Sequence, residues 1–208
     1  MALLRLFLIR HGRSEWNAAH RIQGCADSPL DEVGHVQARQ LAARLHEAPP
    51  VTVYTSPLLR ARETADVIGQ VFDIPVVPEG RLREYDVGAL SGLTWVQVEA
   101  QYPEVARQWQ EDIENVSLPE AEDRAIFRER VVAGFDDIVA RHSEGPVAVV
   151  SHGGTLGIYL NHLIGLPRRF SPFRFSNVSL SIVDVNPRRP RVILLNDTCH
   201  LGSECDLW

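Results

Sequence analysis

Two histidines and two arginines carry the chemistry this sequence offers. The run LFLI at residues 6–9 ends at Arg10-His11-Gly12, and VTV at 51–53 leads into YTSPLLRARETA with Arg60 and Arg62. VAVV at 147–150 ends at Ser151-His152-Gly153-Gly154. An imidazole, neutral near pH 7, is an available nucleophile. Guanidinium forks give always-charged, bidentate contacts suited to phosphate oxygens. Glycines at a helix start let backbone N–H groups approach an anion closely. Each piece also has a plainer use: a capped strand end for RHG, a tight turn for SHGG, and pairing of Arg60 or Arg62 with Glu63 or Asp66. Their joint occurrence, each after an apolar run, points instead to an anion pocket that contains a nucleophile.

Bringing these segments to one point needs a scaffold. Short apolar runs at Arg5–Ile9, Val51–Thr55, Val76–Pro78, Val147–Ser151, Val178–Val185 and Val192–Leu195 read as strands. Helix-like stretches separate them. In LDEVGHVQARQLAARLHEA, Val33, Val36, Ala38, Leu41 and Leu45 fall near one face. SPLLRARETADVIGQVF offers Ser56 as N-cap and Pro57 as the first helical residue. LTWVQVEAQYPEVARQWQEDI and DRAIFRERVVAGFDDIVARH follow, and GTLGIYLNHLIG stops at Gly165. The alternation predicts a three-layer α/β/α sandwich with a mostly parallel central sheet. In such sheets ligands bind outside the carboxyl ends of the strands, where all three motif segments lie. Residues 1–208 are expected to form one domain, with 84–125 a helical insertion over the strand C-terminal ends.

Composition narrows the field. The chain of 208 residues is 45% hydrophobic and 23% charged, as soluble globular proteins are. A net charge of −6 speaks against general nucleic-acid binding. No apolar run approaches the roughly 20 residues that span a bilayer. The N-terminus lacks a basic region and a cleavage site, so no secretory leader is expected. Cys25, Cys199 and Cys205 form no CxxC pair, which suggests a reducing cytoplasm and no zinc knuckle. All 21 basic residues are arginine, so no lysine serves as nucleophile.

LIRHGRSEWN, YTSPLLRARETA, LREYDVGALSGLT and VSHGG, in this order, resemble the histidine phosphatase superfamily, the phosphoglycerate mutase-like proteins. RIQG, FRERV and NDTCHL add to the likeness, which covers nearly the whole chain. The resemblance implies a phosphohistidine intermediate on His11, with Arg10, Arg60 and His152 holding the phosphoryl oxygens. Asn17 and Gln23 fit as neutral donors to them. Gly12 would keep the loop small beside the phosphate, and Gly153 would offer backbone at a helix start. Glu84 matches the position of the family's proton donor, with Asp86 its nearest rival and a surface salt bridge to Arg81 or Arg83 the plainer use. No metal and no cofactor are implied.

The same core serves phosphatases and cofactor-dependent mutases. The mutases of this family carry a basic segment after the glutamate motif that clamps the substrate carboxylate. Here that segment, residues 94–127, has only Arg107 and Arg124 as basic residues. It is more similar to the small broad-specificity and alpha-ribazole phosphatase type, although Glu120-Ala121-Glu122-Asp123 replaces the Gly-Gly-Glu-Ser run common there. The expectation is a phosphatase acting on a small phosphorylated metabolite. A mutase is the alternative, and a phospho-ligand binding module a further one. Trp95, Tyr102 and Trp109, seven apart, suit either a packed helix face or a wall beside the substrate. Arg13, Arg21 and Arg83 are candidates for steering an anion. The last two strands pair with each other, or leave an edge for a homodimer.

Overall fold

Strands apolar on both faces must be covered on both faces, and that requirement shapes this molecule. The computed structural model describes residues 4–113, 115–167, 171–186 and 189–204. Six strands, β1 (Leu4–Arg10), β2 (Val53–Thr55), β3 (Val76–Pro78), β4 (Pro146–Ser151), β5 (Leu180–Val185) and β6 (Arg191–Asp197), form one sheet in the order β3-β2-β4-β1-β5-β6. β3, β2, β4 and β1 are mutually parallel, while β5 runs antiparallel to β1 and to β6. The sheet is therefore mixed, with five of its six strands pointing one way.

The helices are α1 (Glu15–Ala18), α2 (Glu32–Leu45), α3 (Leu59–Phe72), α4 (Trp95–Gln101), α5 (Pro103–Glu111), α6 (Arg124–Arg141) and α7 (Gly153–Leu163). Leu4, Leu6 and Leu8 of β1 face a cluster with Phe127, Val131 and Phe135 of α6 and Leu156 of α7. Phe7 and Ile9, on the opposite face, meet Leu41 and Leu45 of α2 and Ala61, Ala65 and Ile68 of α3. Period-2 alternation along one strand thus divides two helical layers, as a three-layer sandwich requires.

Three local expectations are corrected. Val33 and Val36 lie on the exposed side of α2, whose buried stripe is Gly34, Gln37, Ala38, Leu41, Ala42 and Leu45. The helix is rotated to put Gly34 against the loop after β1. A Cβ there would stand 2.0 Å from the Arg13 carbonyl oxygen. Ser56 does not cap α3: the N-cap is Leu58, without a side-chain bond, and Pro57 precedes the helix. The 94–113 stretch is two helices, because Pro103 starts α5 and pushes Tyr102 out of helical geometry.

The stretch after Glu84 builds a satellite cluster of Leu90, Val98, Ala106, Val116 and Leu118, against which Trp95, Tyr102 and Trp109 pack. The Trp95 and Trp109 rings lie 5.9 Å apart, so the seven-residue spacing serves packing. Backbone bonds between Ile22 and residues 92–93 tie this cluster to the loop after α1. At the far side of the sheet, β6 forms an edge that exposes Val192, Ile193 and Leu195.

Gly34→Ala is expected to destabilise the protein by about 1–3 kcal/mol, the usual range for forcing atoms into a packed site, since the atoms it meets are backbone. Urea unfolding of the variant beside wild type checks this; an unchanged midpoint would contradict the close approach.

Candidate active site

The register of β1 on β4 places the two histidines together. Arg10 pairs with Ser151, so His11 and His152, one residue beyond, leave the sheet side by side. Their ring centroids are 5.2 Å apart and both residues are buried. β2 is in register with β4 through Thr55 and Val150, which brings Ser56 to the same rim. The Ser56 hydroxyl lies 2.8 Å from His152 Nε2. The serine expected as a helix cap thus anchors a histidine.

His11 is fixed from several directions. Its backbone N–H donates to the Ser151 carbonyl, and its carbonyl accepts from the Val178 N–H and from Asn177 Nδ2. Nδ1 lies 2.7 Å from the Gly12 carbonyl oxygen. A carbonyl only accepts, so in the neutral ring Nδ1 carries the proton and Nε2 the lone pair. Gly12 also donates its N–H to Thr64 Oγ1. A Cβ on Gly12 would meet the Gly34 carbonyl oxygen at 2.8 Å. Its lack of a side chain therefore serves the contact with α2.

Arg60, 1% exposed, extends from the first turn of α3 to His11. Its Nε donates to His11 Nε2 at 3.2 Å, and its two terminal nitrogens donate to the Ala26 and Gly24 carbonyls at 2.6 and 2.8 Å. It does not pair with Glu63, which accepts the Leu30 N–H. Arg62 is exposed on the same helix. Arg10 donates to the Phe175 carbonyl at 2.6 Å, while its Nε is buried without a partner among the described residues. His152 Nδ1 is in the same condition. Buried polar atoms are almost always paired, so these two orphans, on residues at the same end of the sheet, are candidates to meet ligand oxygens.

Charge follows from this geometry. Burial, then the Arg60 and Arg10 guanidinium groups, hold the His11 imidazole well below its ordinary range, against the pull of the Gly12 carbonyl. Burial, then Arg60, His11 and Arg10, do the same to His152. Burial pushes Arg60 down to about 10, partly offset by Glu84. Arg10 is lowered by burial and raised by Glu84. Both guanidinium groups stay charged at neutral pH, and both rings are neutral.

Glu84 stands at the rim on the loop after β3. Its carboxylate accepts the Gly154 N–H at 2.9 Å and the Tyr85 N–H at 2.8 Å. A Cβ on Gly154 would lie 2.5 Å from Glu84 Oε1, so the second glycine of SHGG is the one this approach requires. A Cβ on Gly153 would stand in open space. Neither Arg81 nor Arg83 forms an ion pair with Glu84: Arg81 pairs with Glu79 and Asp137. Asp86 is exposed and turned to the Gly88 N–H.

The amide oxygens of Asn17 and Gln23 are committed to Ser14, which directs their NH₂ groups elsewhere. Arg13 pairs with Asp31, whereas Arg21 is exposed and donates to the Gly92 carbonyl, which leaves its charge uncompensated. Sequence reasoning missed Ser56 as the His152 anchor, the carbonyls of Gly24, Ala26 and Phe175, and Asn177 behind His11. Backbone acceptors leave no mark in residue types. The one legible trace was Arg130 of FRERV, which reaches the Glu84 loop. Among the described residues no group of three or more His, Cys, Asp or Glu is arranged to hold a metal ion.

The sequence model of the histidine phosphatase superfamily (branch 1) matches residues 6–198. Phosphoserine phosphatase 1 of Hydrogenobacter thermophilus is 35% identical over 202 residues, 97% of this chain and 96% of that protein. A Yersinia enterocolitica protein named "Probable phosphoglycerate mutase GpmB" is 36% identical over 187 residues, 88% of this chain and 85% of its own. The crystal structure of the alpha-ribazole phosphatase from Shigella flexneri superposes with a TM-score of 0.84 at 27% identity, covering 93% of this chain and 96% of that one.

The two lowered imidazoles make stability depend on pH. Unfolded, each binds a proton near its ordinary value of about 6.5; folded, it does not until the pH is much lower. The unfolded state therefore holds more protons below about 6.5, and stability falls as the pH drops. Two such groups give a slope of up to about 2.7 kcal/mol per pH unit. Urea midpoints measured from pH 7.5 to 5 are expected to fall, with a shallower slope for His152→Asn. A flat profile over that range would mean that the pocket histidines are not held neutral.

Proposed function

The chain belongs to the histidine phosphatase superfamily, and from that premise we propose that it hydrolyses phosphomonoesters through a phosphohistidine on His11. The observation that carries the reading is the His11 ring itself, its Nδ1 proton held by Gly12, its Nε2 against the Arg60 guanidinium and the ring in the field of Arg10, neither arginine in an ion pair with a carboxylate among the described residues. A phosphate dianion entering this field takes its oxygens to Arg10, Arg60 and His152, with Asn17, Gln23 and the Gly153 backbone as neutral donors. Its arrival draws a proton to His152, whose neighbours otherwise keep it neutral.

Arg60 Nε–H exchanges His11 Nε2 for a phosphate oxygen, which frees the lone pair for in-line attack. The P–N bond forms as the P–O bond to the leaving group breaks. The guanidinium groups take up the charge spread over the equatorial oxygens. Glu84 gives its proton to the departing alkoxide and later removes one from the water that cleaves the P–N bond, releasing inorganic phosphate. Charge stabilisation in this scheme comes from arginine.

Hydrolysis rather than transfer to a second hydroxyl is favoured by what the insertion does with its cations. Arg107 is occupied by Glu104 and Glu111 on the surface of α5. Arg124 donates to the Ile113 and Val116 carbonyls. Neither is left to hold the carboxylate of a phosphorylated acid while the phosphoryl group changes position. The substrate class we infer is a small phosphomonoester, and the working compartment the cytoplasm, in keeping with free Cys25 and Cys199. Among the described residues no helix is long and apolar enough to cross a membrane.

His11→Ala is expected to lose about 10³-fold or more of p-nitrophenyl phosphate turnover, together with acid-labile labelling by phosphate. Glu84→Gln is expected to keep labelling by this good leaving group and to slow alkyl phosphates by about 10²–10⁴-fold. Undiminished activity of His11→Ala would overturn the nucleophile. With 3-phosphoglycerate, phosphate release is expected to exceed isomerisation with or without 2,3-bisphosphoglycerate; the reverse ratio would make the enzyme a mutase. Added chelator is expected to leave the hydrolytic rate unchanged.

A further inference from the structure

Glu84 lies between two single 3-10 turns, Gly80–Leu82 and Gly88–Leu90, yet its carboxylate must meet a reacting oxygen within a fraction of an ångström. Ser151, Thr155 and Cys25 each donate one bond to carbonyls of this loop, at Leu82, Arg83 and Glu84, and one further side chain binds several of them at once. Arg130 of α6 donates from NH1 to the Arg81 and Arg83 carbonyls at 2.9 and 2.8 Å, and from NH2 to the Glu84 carbonyl at 2.9 Å. Nε and NH2 donate to the two oxygens of Glu122 at 2.6 and 2.7 Å. Five donor contacts match the five N–H groups of a guanidinium. Arg130 and Glu122 are mostly buried, with side-chain exposures of 14% and 16%. The Arg130 guanidinium also lies over the Phe127 ring, 4.8 Å from its centre.

Glu122 holds the other side of the same loop. Its Oε2 accepts the Asp86 N–H, and its own N–H donates to the Asp86 carbonyl. The pair thus grips main-chain groups at 81, 83, 84 and 86, on both sides of the Glu84 side chain. Neither residue has a hydrogen bond to His11, His152, Arg10 or Arg60.

We propose that Arg130 and Glu122 are positioning residues for Glu84, holding the loop so that its carboxyl reaches the leaving-group oxygen. This rests on the reading of Glu84 as the proton donor. Lysine cannot replace Arg130, since its three donors on one nitrogen do not span three carbonyls and a carboxylate. A displacement near 1 Å at such a group costs about 10²-fold in rate. In phosphoenzyme formation the loss falls on the step that needs the proton, so there it grows with the basicity of the leaving group, whereas the loss in P–N cleavage is common to all esters.

The experiment compares wild type, Arg130→Lys, Glu122→Gln, Glu84→Gln and Glu84→Gln/Arg130→Lys on p-nitrophenyl, phenyl and alkyl phosphates, with circular dichroism and urea midpoints for each. Arg130→Lys is expected to change single-turnover phosphoenzyme formation from p-nitrophenyl phosphate less than about threefold and to slow that from the alkyl ester by about 10²-fold, in the maximal rate rather than the half-saturating concentration. The double variant is expected to be no slower on the alkyl ester than Glu84→Gln alone, because a misplaced acid and a missing one lose the same step. If Arg130→Lys does not fold, Glu122→Gln, which leaves the carbonyl bonds of Arg130 in place, is expected to show the same ordering at smaller size. Equal slowing of phosphoenzyme formation from all three esters by a folded variant, no slowing, or additive losses in the double variant would overturn the proposal. If Glu84→Gln itself fails to discriminate among leaving groups, the proton-donor reading falls first. If it discriminates and Arg130→Lys and Glu122→Gln do not, only the positioning role falls.

Discussion

Positive charge without a carboxylate partner, kept in a nearly dry pocket at the end of a β-sheet, is the condition that the rest of this site answers. Arg10 and Arg60 reach no Asp or Glu by ion pair among the described residues. An isolated buried charge is expensive, and most ionisable groups escape by changing protonation. Arginine cannot: even at about 10, Arg60 is charged at neutral pH. The cost falls on the neighbours instead. His11 and His152 are driven neutral, which is the state a nucleophile requires and an anion then partly reverses. One field sets the readiness of the ring, the affinity for an oxyanion and the stabilisation of charge during transfer.

Backbone dipoles make that field tolerable. The Phe175, Gly24 and Ala26 carbonyls take guanidinium N–H groups, and the Gly12 carbonyl takes the His11 proton. Carbonyls satisfy donors without carrying a full negative charge. A carboxylate in their place would have cancelled the field and repelled a phosphate dianion. These acceptors come from loops packed onto rigid strand ends. β1 and β4 are held by six residue pairs in parallel register, so His11 and His152 cannot drift apart without breaking the sheet.

Much of this was legible because residue type and position coincide where chemistry and strand endings meet. Arg10, His11, Arg60 and His152 are charged or titratable residues next to apolar runs, a contrast that a sequence displays directly. The α2 face was misread because two valines outweighed a glycine in a count of apolar positions, whereas the packing is decided by the room that Gly34 leaves for Arg13. Ser56 was misread for a related reason. A serine before a helix has a local use as a cap, and its distant use, to hold His152 across 96 positions, has no signature. Tyr102-Pro103 shows the opposite case, where the break was written in the residues and the amphipathic pattern around it obscured it.

In the proposed mechanism the nucleophile and the proton donor are held by different means, and the difference follows from what each must do. His11 meets every substrate at the same atom, phosphorus, so it belongs on the least deformable part of the fold. The donor meets an oxygen whose surroundings change with the alcohol being released. Glu84 accordingly sits on a loop, between the N-terminus of α7, which supplies the Gly154 N–H, and α6, which supplies Arg130. The same loop continues into the satellite cluster that borders it. Changes in that cluster can reshape the space for the alcohol without touching the sheet end. The strand-end residues are then free to stay fixed while the surroundings of the alcohol vary. On the proposed reading, what such variation must leave in place is the grip of Arg130 on main-chain carbonyls at 81, 83 and 84, because that grip sets where Glu84 stands relative to His11.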